Sequence, residues 1–105
     1  MEHTRKGISE EELYDISEFL RMFSEPSRLK ILFELAGQTL CVNHIAERVG
    51  MTQSAVSHQL AVMRRADLVR ASRRGKLVVY TVADEHIEKL LTVAREHVNE
   101  GDDRI

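Results

Sequence analysis

The sequence predicts a mainly α-helical domain carrying one β-hairpin, in a subunit that pairs with a second copy of itself through its first and last helices. Three observations predict it. Apolar residues recur at three- and four-residue spacing through five separate stretches, the period of helices with one buried face. A single stretch, residues 68–82, is instead rich in β-branched and apolar residues and is broken by Arg73-Arg74-Gly75-Lys76. The first and last helical stretches are apolar over faces that a 105-residue subunit cannot fully cover.

Residues 1–8 read as a flexible arm and 101–105 as a flexible tail, leaving 9–100 as one domain. Ser9, followed by three glutamates, is a good helix start. Leu13, Ile16, Leu20 and Phe23 continue an amphipathic first helix. Ser24-Glu25-Pro26-Ser27 breaks it and opens the next, because proline is tolerated in a first turn. Residues 28–36 follow, with Leu29, Ile31, Leu32 and Leu35 apolar, and Gly37 is a natural stop.

A tight pair of helices comes next. Residues 42–49 turn Ile45, Ala46 and Val49 inward, Gly50 supplies the turn, and Met51 is expected as a buried plug. Thr52 or Ser54 caps a second helix whose Ala55, Val56, Leu60 and Met63 face inward. Short helix, glycine turn and polar-headed helix form a helix-turn-helix pattern. Gln53, Ser54, Ser57, His58 and Gln59 are expected at its exposed head, where amides and hydroxyls can reach base edges in a DNA major groove. Residues 68–72 and 77–82 then read as two strands. A hairpin directly after such a helix is a wing, and Arg73, Arg74 and Lys76 at its tip would lie against phosphates.

Charge supports that assignment. The net charge is only -2, yet residues 52–79 hold six basic residues and one acid, Asp67. The acids gather in the first and last helices. A basic patch on an acidic body suits a phosphate-facing surface, although a solvated charge run reads the same way.

The last helix, 84–100, carries the most specific signal. His86, Leu90, Val93, His97 and Glu100 form one stripe, and Ile87, Leu91, Ala94 and Val98 lie beside it. Asp84, His86, His97 and Glu100 are all metal-ligand types. His86 and His97 are separated by roughly 16 Å along a helix, far beyond a shared ion. Two copies packed antiparallel and crossing near Thr92 would bring Asp84 and His86 of one beside His97 and Glu100 of the other, giving two sites per dimer. Asp84 and His86 would diverge inside a helix, so Asp84 is placed as the N-cap. A capping Asp, two solvated histidines and an ordinary Glu is the competing reading.

The chain resembles the ArsR/SmtB family of winged-helix repressors in FSEPSRLKIL, TLCVNHIAERVGMTQSAVSHQL, LVRASRRGKLVVYTV and the DEH…HVNE ending. The Asp-x-His, ten residues, His-x-x-Glu pattern resembles that family's inter-subunit zinc site, which implies Asp84, His86, His97 and Glu100 as ligands. The family's other metal site uses a Cys-Val-Cys stretch; here it is Cys41-Val42-Asn43-His44. A weak second site from His3, Cys41 and His44 competes with a partly buried cysteine beside a surface histidine.

The resemblance implies a homodimeric, zinc-responsive repressor. It would bind an inverted-repeat DNA operator metal-free and release it with zinc, controlling metal efflux or storage genes. The alternative is a repressor of the same fold responding to another metal or a non-metal signal. Two imidazoles and two carboxylates suit Zn²⁺, with Co²⁺ as a substitute. Four protein ligands leave no open position for zinc catalysis, and no phosphate loop or nucleophile motif is present, so no enzyme is expected. A lone Cys41, no signal peptide and no apolar run long enough to span a membrane point to the cytoplasm. Metal fixing His97 so that its second ring nitrogen bonds a carbonyl near Ala66 or Asp67 would link ligand to DNA-binding head.

Overall fold

Ser9 opens the first helix as expected: its hydroxyl accepts the Glu12 amide at 3.1 Å, and Glu10, Glu11 and Glu12 fill the first turn of α1, Glu10–Arg21. The structure is a computed structural model and describes residues 7–100. The arm through residue 6, with His3, and the tail 101–105 lie outside the described residues.

α2, Pro26–Leu35, starts with its proline in the first turn, where the missing N–H costs nothing. The Glu25 carboxylate accepts the Arg28 amide at 3.0 Å as its cap. α2 ends at Leu35, and Gly37 takes a left-handed turn at φ 77°. β1, Leu40–Cys41, is a two-residue strand that sequence periodicity did not reveal. It leads directly into α3, Val42–Val49, which closes on Gly50 at φ 71°. Thr52 caps α4, Gln53–Arg65, accepting the Ala55 amide at 3.0 Å. Met51 packs against the core only half-buried, because it sits in the turn where one side faces solvent.

α4 ends on a Schellman turn. The Leu68 amide donates to the Met63 carbonyl at 2.8 Å and the Asp67 amide to Arg64 at 3.0 Å. Asp67 occupies the left-handed position at φ 63°, which aspartate tolerates better than most residues. The turn aims the chain into β2, Val69–Arg74, and β3, Leu77–Val82, which pair antiparallel from Val69↔Val82 to Arg74↔Leu77. β1 adds to the outer edge of β3 through Leu40↔Tyr80 and Cys41↔Val79, giving the order β1-β3-β2. The hairpin turn is only Gly75-Lys76, so Arg73 and Arg74 belong to the strand end and not to a loop.

The core is aliphatic. Ile31, Leu32, Leu35, Ile45, Val56, Leu60, Met63 and Leu68 are essentially without solvent contact. α2, α3, α4, the sheet and the first half of the last helix supply it, which makes one winged helix-turn-helix body.

The two outer helices behave differently. α1 buries no residue, and Leu13, Tyr14, Ile16 and Leu20 stay exposed. α5, Glu85–Glu100, buries only Ile87 and Leu91; Val93 and Val98 are 60% and 70% exposed. Of the two apolar rows expected on α5, only the start of the Ile87 row turns to the body. A groove of about 690 Å³ separates the end of α1 from α2 and α5, lined by Leu20, Phe23, Phe33, Leu90, Ala94 and Val98 among others. A contiguous apolar surface of this kind marks an interaction site.

Candidate functional site

Two surfaces hold the candidate residues. The first is the head of α4 with the hairpin. α4 is anchored from below by Val56, Leu60 and Met63, spaced four and three. That spacing leaves Gln53, Ser54, Ser57 and His58 exposed on the opposite side. Arg73, Arg74 and Lys76 are also exposed at the hairpin end, with Arg64, Arg65 and Arg70 on the same basic segment. Hydroxyls, an amide and an imidazole on the helix, flanked by cations, can meet bases and phosphates respectively.

Gln59 corrects the sequence reading. It is half-buried, and its amide is occupied within the chain. Nε2 donates to Ser27 Oγ at 3.1 Å and to Glu25 Oε1 at 3.4 Å, while Oε1 accepts from Arg28 Nη1 at 3.4 Å. It is therefore not presented to a groove. The partners lie more than thirty residues away in sequence, so no local pattern announced them.

The second surface is α5. Asp84 sits just before the helix, and its Oδ1 accepts the amides of His86 at 2.9 Å and Ile87 at 3.2 Å. This is the capping role expected of it. His86 Nδ1 stands 3.5 Å from the same oxygen. Desolvation pushes the Asp84 carboxyl up, but the Ile87 and His86 amides and the His86 ring outweigh it, and the carboxyl is held below its ordinary value. It stays an anion, the form a cation needs. His86 is well exposed, and His97 and Glu100 are exposed one turn apart near the far end of the helix.

A metal-ion fit follows from these placements. Among the described residues no three ligand-type side chains converge within the chain. Asp84 with His86, and His97 with Glu100, form two half-sets at opposite ends of α5, roughly 16 Å apart by helix rise. One chain cannot close a site; the donor chemistry of the two half-sets together suits one borderline cation. Cys41 is half-buried in β1 and His44 exposed on α3, and His3 lies outside the described residues, so the expected weak second site gains no support.

α5 also reaches the helix-turn-helix body. Glu88, in its first turn, accepts the Gly37 amide at 3.0 Å across 51 residues of sequence. No helix among the described residues is long and apolar enough to cross a membrane.

Known proteins resemble this chain in sequence and fold. The family profile described as bacterial regulatory protein, arsR family, matches residues 25–71, which include the helix-turn-helix. The chain is 37% identical over 95 residues to a transcriptional repressor SmtB homolog of Synechocystis sp., covering 90% of this chain and 72% of that protein. It is 44% identical over 82 residues to the HTH-type transcriptional regulator NmtR of Mycobacterium tuberculosis, covering 78% and 68%. Among solved structures, a homodimeric winged helix-turn-helix DNA-binding domain from Mycobacterium bovis superposes with a TM-score of 0.83 at 25% identity, covering 94% of each chain.

Proposed function

From the premise that this chain belongs to the ArsR family of bacterial regulatory proteins, we propose that it is a homodimeric, zinc-responsive transcriptional repressor acting in the cytoplasm. The metal-free dimer binds an inverted-repeat operator, and zinc at the dimer interface releases it. The observation that carries the reading is the split of α5. Its body-facing row ends at Leu91, its outer row is exposed apart from the half-buried Leu90, and its ligand-type residues stand in two complementary half-sets at the two ends.

In the proposed dimer, α1 and the outer face of α5 meet their copies about a two-fold axis. Asp84 and His86 of one subunit and His97 and Glu100 of the other would hold each ion, two per dimer, with Co²⁺ as a substitute. Bound there, zinc would supply coordination bonds across the interface that tie the two α5 helices in one crossing. The chain does the rest. Ser54, Ser57, His58 and Gln53 read bases, and Arg73, Arg74 and Lys76 hold phosphates. Metal can release DNA only by favouring one arrangement of the two heads over another. Glu88 on Gly37 gives α5 a direct purchase on the turn that follows α2 and leads into β1. Four protein ligands leave no open position, so the ion signals and does not catalyse.

The test is operator binding by the purified dimer with and without zinc. Duplex should be selected from a random pool metal-free and lost at zinc saturation. Equal binding in both conditions would overturn the zinc reading, and the absence of any selected duplex would overturn DNA binding itself.

A further inference from the structure

We propose that Gln59 is a positioning residue: with Arg28, Ser27 and Glu25 it forms a polar clasp that sets the angle of α4 against the α1–α2 corner, and so the operator half-site spacing that the dimer accepts. The inference rests on the reading of the chain as a DNA-binding dimer.

The clasp joins three elements. Ser27 Oγ donates to Glu25 Oε1 at 2.5 Å, and Gln59 Nε2 reaches both side chains from α4. Arg28 uses two different nitrogens. Nη1 donates to Gln59 at 3.4 Å, and Nε donates to the Met22 carbonyl at 2.9 Å. Met22 is the C-cap of α1. One guanidinium thus connects the helix offered to a partner subunit with the helix offered to DNA. The group is part-buried, where hydrogen bonds are less screened by water.

Apolar packing alone would not fix this angle. Val56, Leu60 and Met63 hold α4 on the core, but burial is non-directional and tolerates a roll. Hydrogen bonds impose direction. Phe19 and Met22 at the end of α1 pack against the core only partly buried, and Arg28 on Met22 adds a directional constraint on where α1 leaves the body. α4 is 13 residues long, about 20 Å at ~1.5 Å per residue. Gln59 lies near its middle, so a swing of about 10° there would move either end by about 1.6 Å, about half the rise of one base pair. Half-sites lie about 34 Å apart in such dimers, so an error of that size in each head amounts to a change of register by about one base pair.

The experiment compares the wild-type dimer with Gln59→Met, which keeps length and removes hydrogen bonding. Arg28→Lys is the second variant, since one ammonium cannot bridge Met22 and Gln59 in the geometry of a guanidinium fork. Thermal unfolding establishes that each variant is folded, and Arg28→Lys carries the test if Gln59→Met is not. Selection from random duplexes with the wild type defines half-site and spacing; each protein is then titrated with duplexes one base pair shorter and longer. The wild type should prefer its own spacing about tenfold or more. Both variants should reduce that preference to about threefold or less, with base preference inside the half-site unchanged. A shift in preferred base would make Gln59 a base reader and overturn the proposal. So would a uniform loss of affinity at all spacings, or an unchanged spacing preference in a folded variant. A wild type that selects no duplex would remove the DNA-binding reading itself, an outcome distinct from all of these.

Discussion

Val93→Ala isolates the outward face of α5. The substitution removes two carbons, worth about 1.6 kcal/mol if fully transferred from water. Val93 is 60% exposed in the single chain, so about 1 kcal/mol of that is left for a partner to collect. An isologous interface counts it twice, giving about 2 kcal/mol per dimer, a roughly 30-fold rise in the dimer Kd. The subunit itself should lose no more than about 0.5 kcal/mol, as expected of an exposed site. Leu91→Ala is the opposite case, because Leu91 is 3% exposed and holds α5 to the body. It should cost the subunit about 2 to 5 kcal/mol, towards the lower end because the site borders an open groove able to relax. Sedimentation over a dilution series reads the Kd, and urea unfolding below the dimer Kd reads the subunit. A Val93→Ala dimer within about threefold of wild type, or a subunit weakened as much as by Leu91→Ala, would refute the assignment of faces.

Further outcomes follow from the same geometry. Arg73→Ala or Lys76→Ala should weaken binding to all duplexes and flatten the salt slope by about one unit per lost contact, whereas Ser57→Ala should change sequence preference; competition titrations at several salt concentrations separate the two. A His86→Ala chain paired with a His97→Ala chain should retain one intact zinc site per dimer while either homodimer has both sites damaged, as counted by metal titration. Gly50→Ala should cost about 1 to 2 kcal/mol of stability in urea unfolding, all of it backbone, because Gly50 lies at φ 71° and a methyl there meets nothing within 4 Å. The Ser27 hydroxyl, with the Arg28 and Ser27 amides and the Arg28 charge, outweighs desolvation and holds the Glu25 carboxyl below its ordinary value. The folded state therefore binds that proton less readily than the unfolded state, and its stabilisation is present above the ordinary glutamate range and lost as pH falls through the depressed value. Unfolding midpoints of Glu25→Gln should accordingly fall less steeply with acid than those of the wild type.

The helices were legible in the sequence because their determinants are local. Ser9, Pro26, Gly50 and Thr52 stand where caps and breaks belong, and the inward rows of α2, α3 and α4 repeat at helical spacing. β1 was not legible: Leu40 and Cys41 are too few to show a period, and their extended form comes from pairing with Tyr80 and Val79. The same holds for Gln59, whose helical position suggested exposure while its partners came from a distant corner. Asp67 at positive φ also escaped notice, since only the Schellman turn explains it. The α5 candidates were visible as residue types and spacings, and one chain places them in two half-sets at its two ends.

In the proposed dimer, the uncovered faces of α1 and α5 would also work as a badge of identity. In a cell that makes several regulators of this fold, these surfaces would decide which chains pair. A mismatched pair would carry recognition helices for two unrelated operators and ligand half-sets drawn from two different chains. Circuits meant to be separate would then be cross-wired. Tyr14, Val93 and Val98, exposed and free of any duty to the core, are the positions where exclusion of sibling chains can be written. Divergence at these few side chains can insulate a duplicated copy from its parent while the body that meets DNA stays as it was.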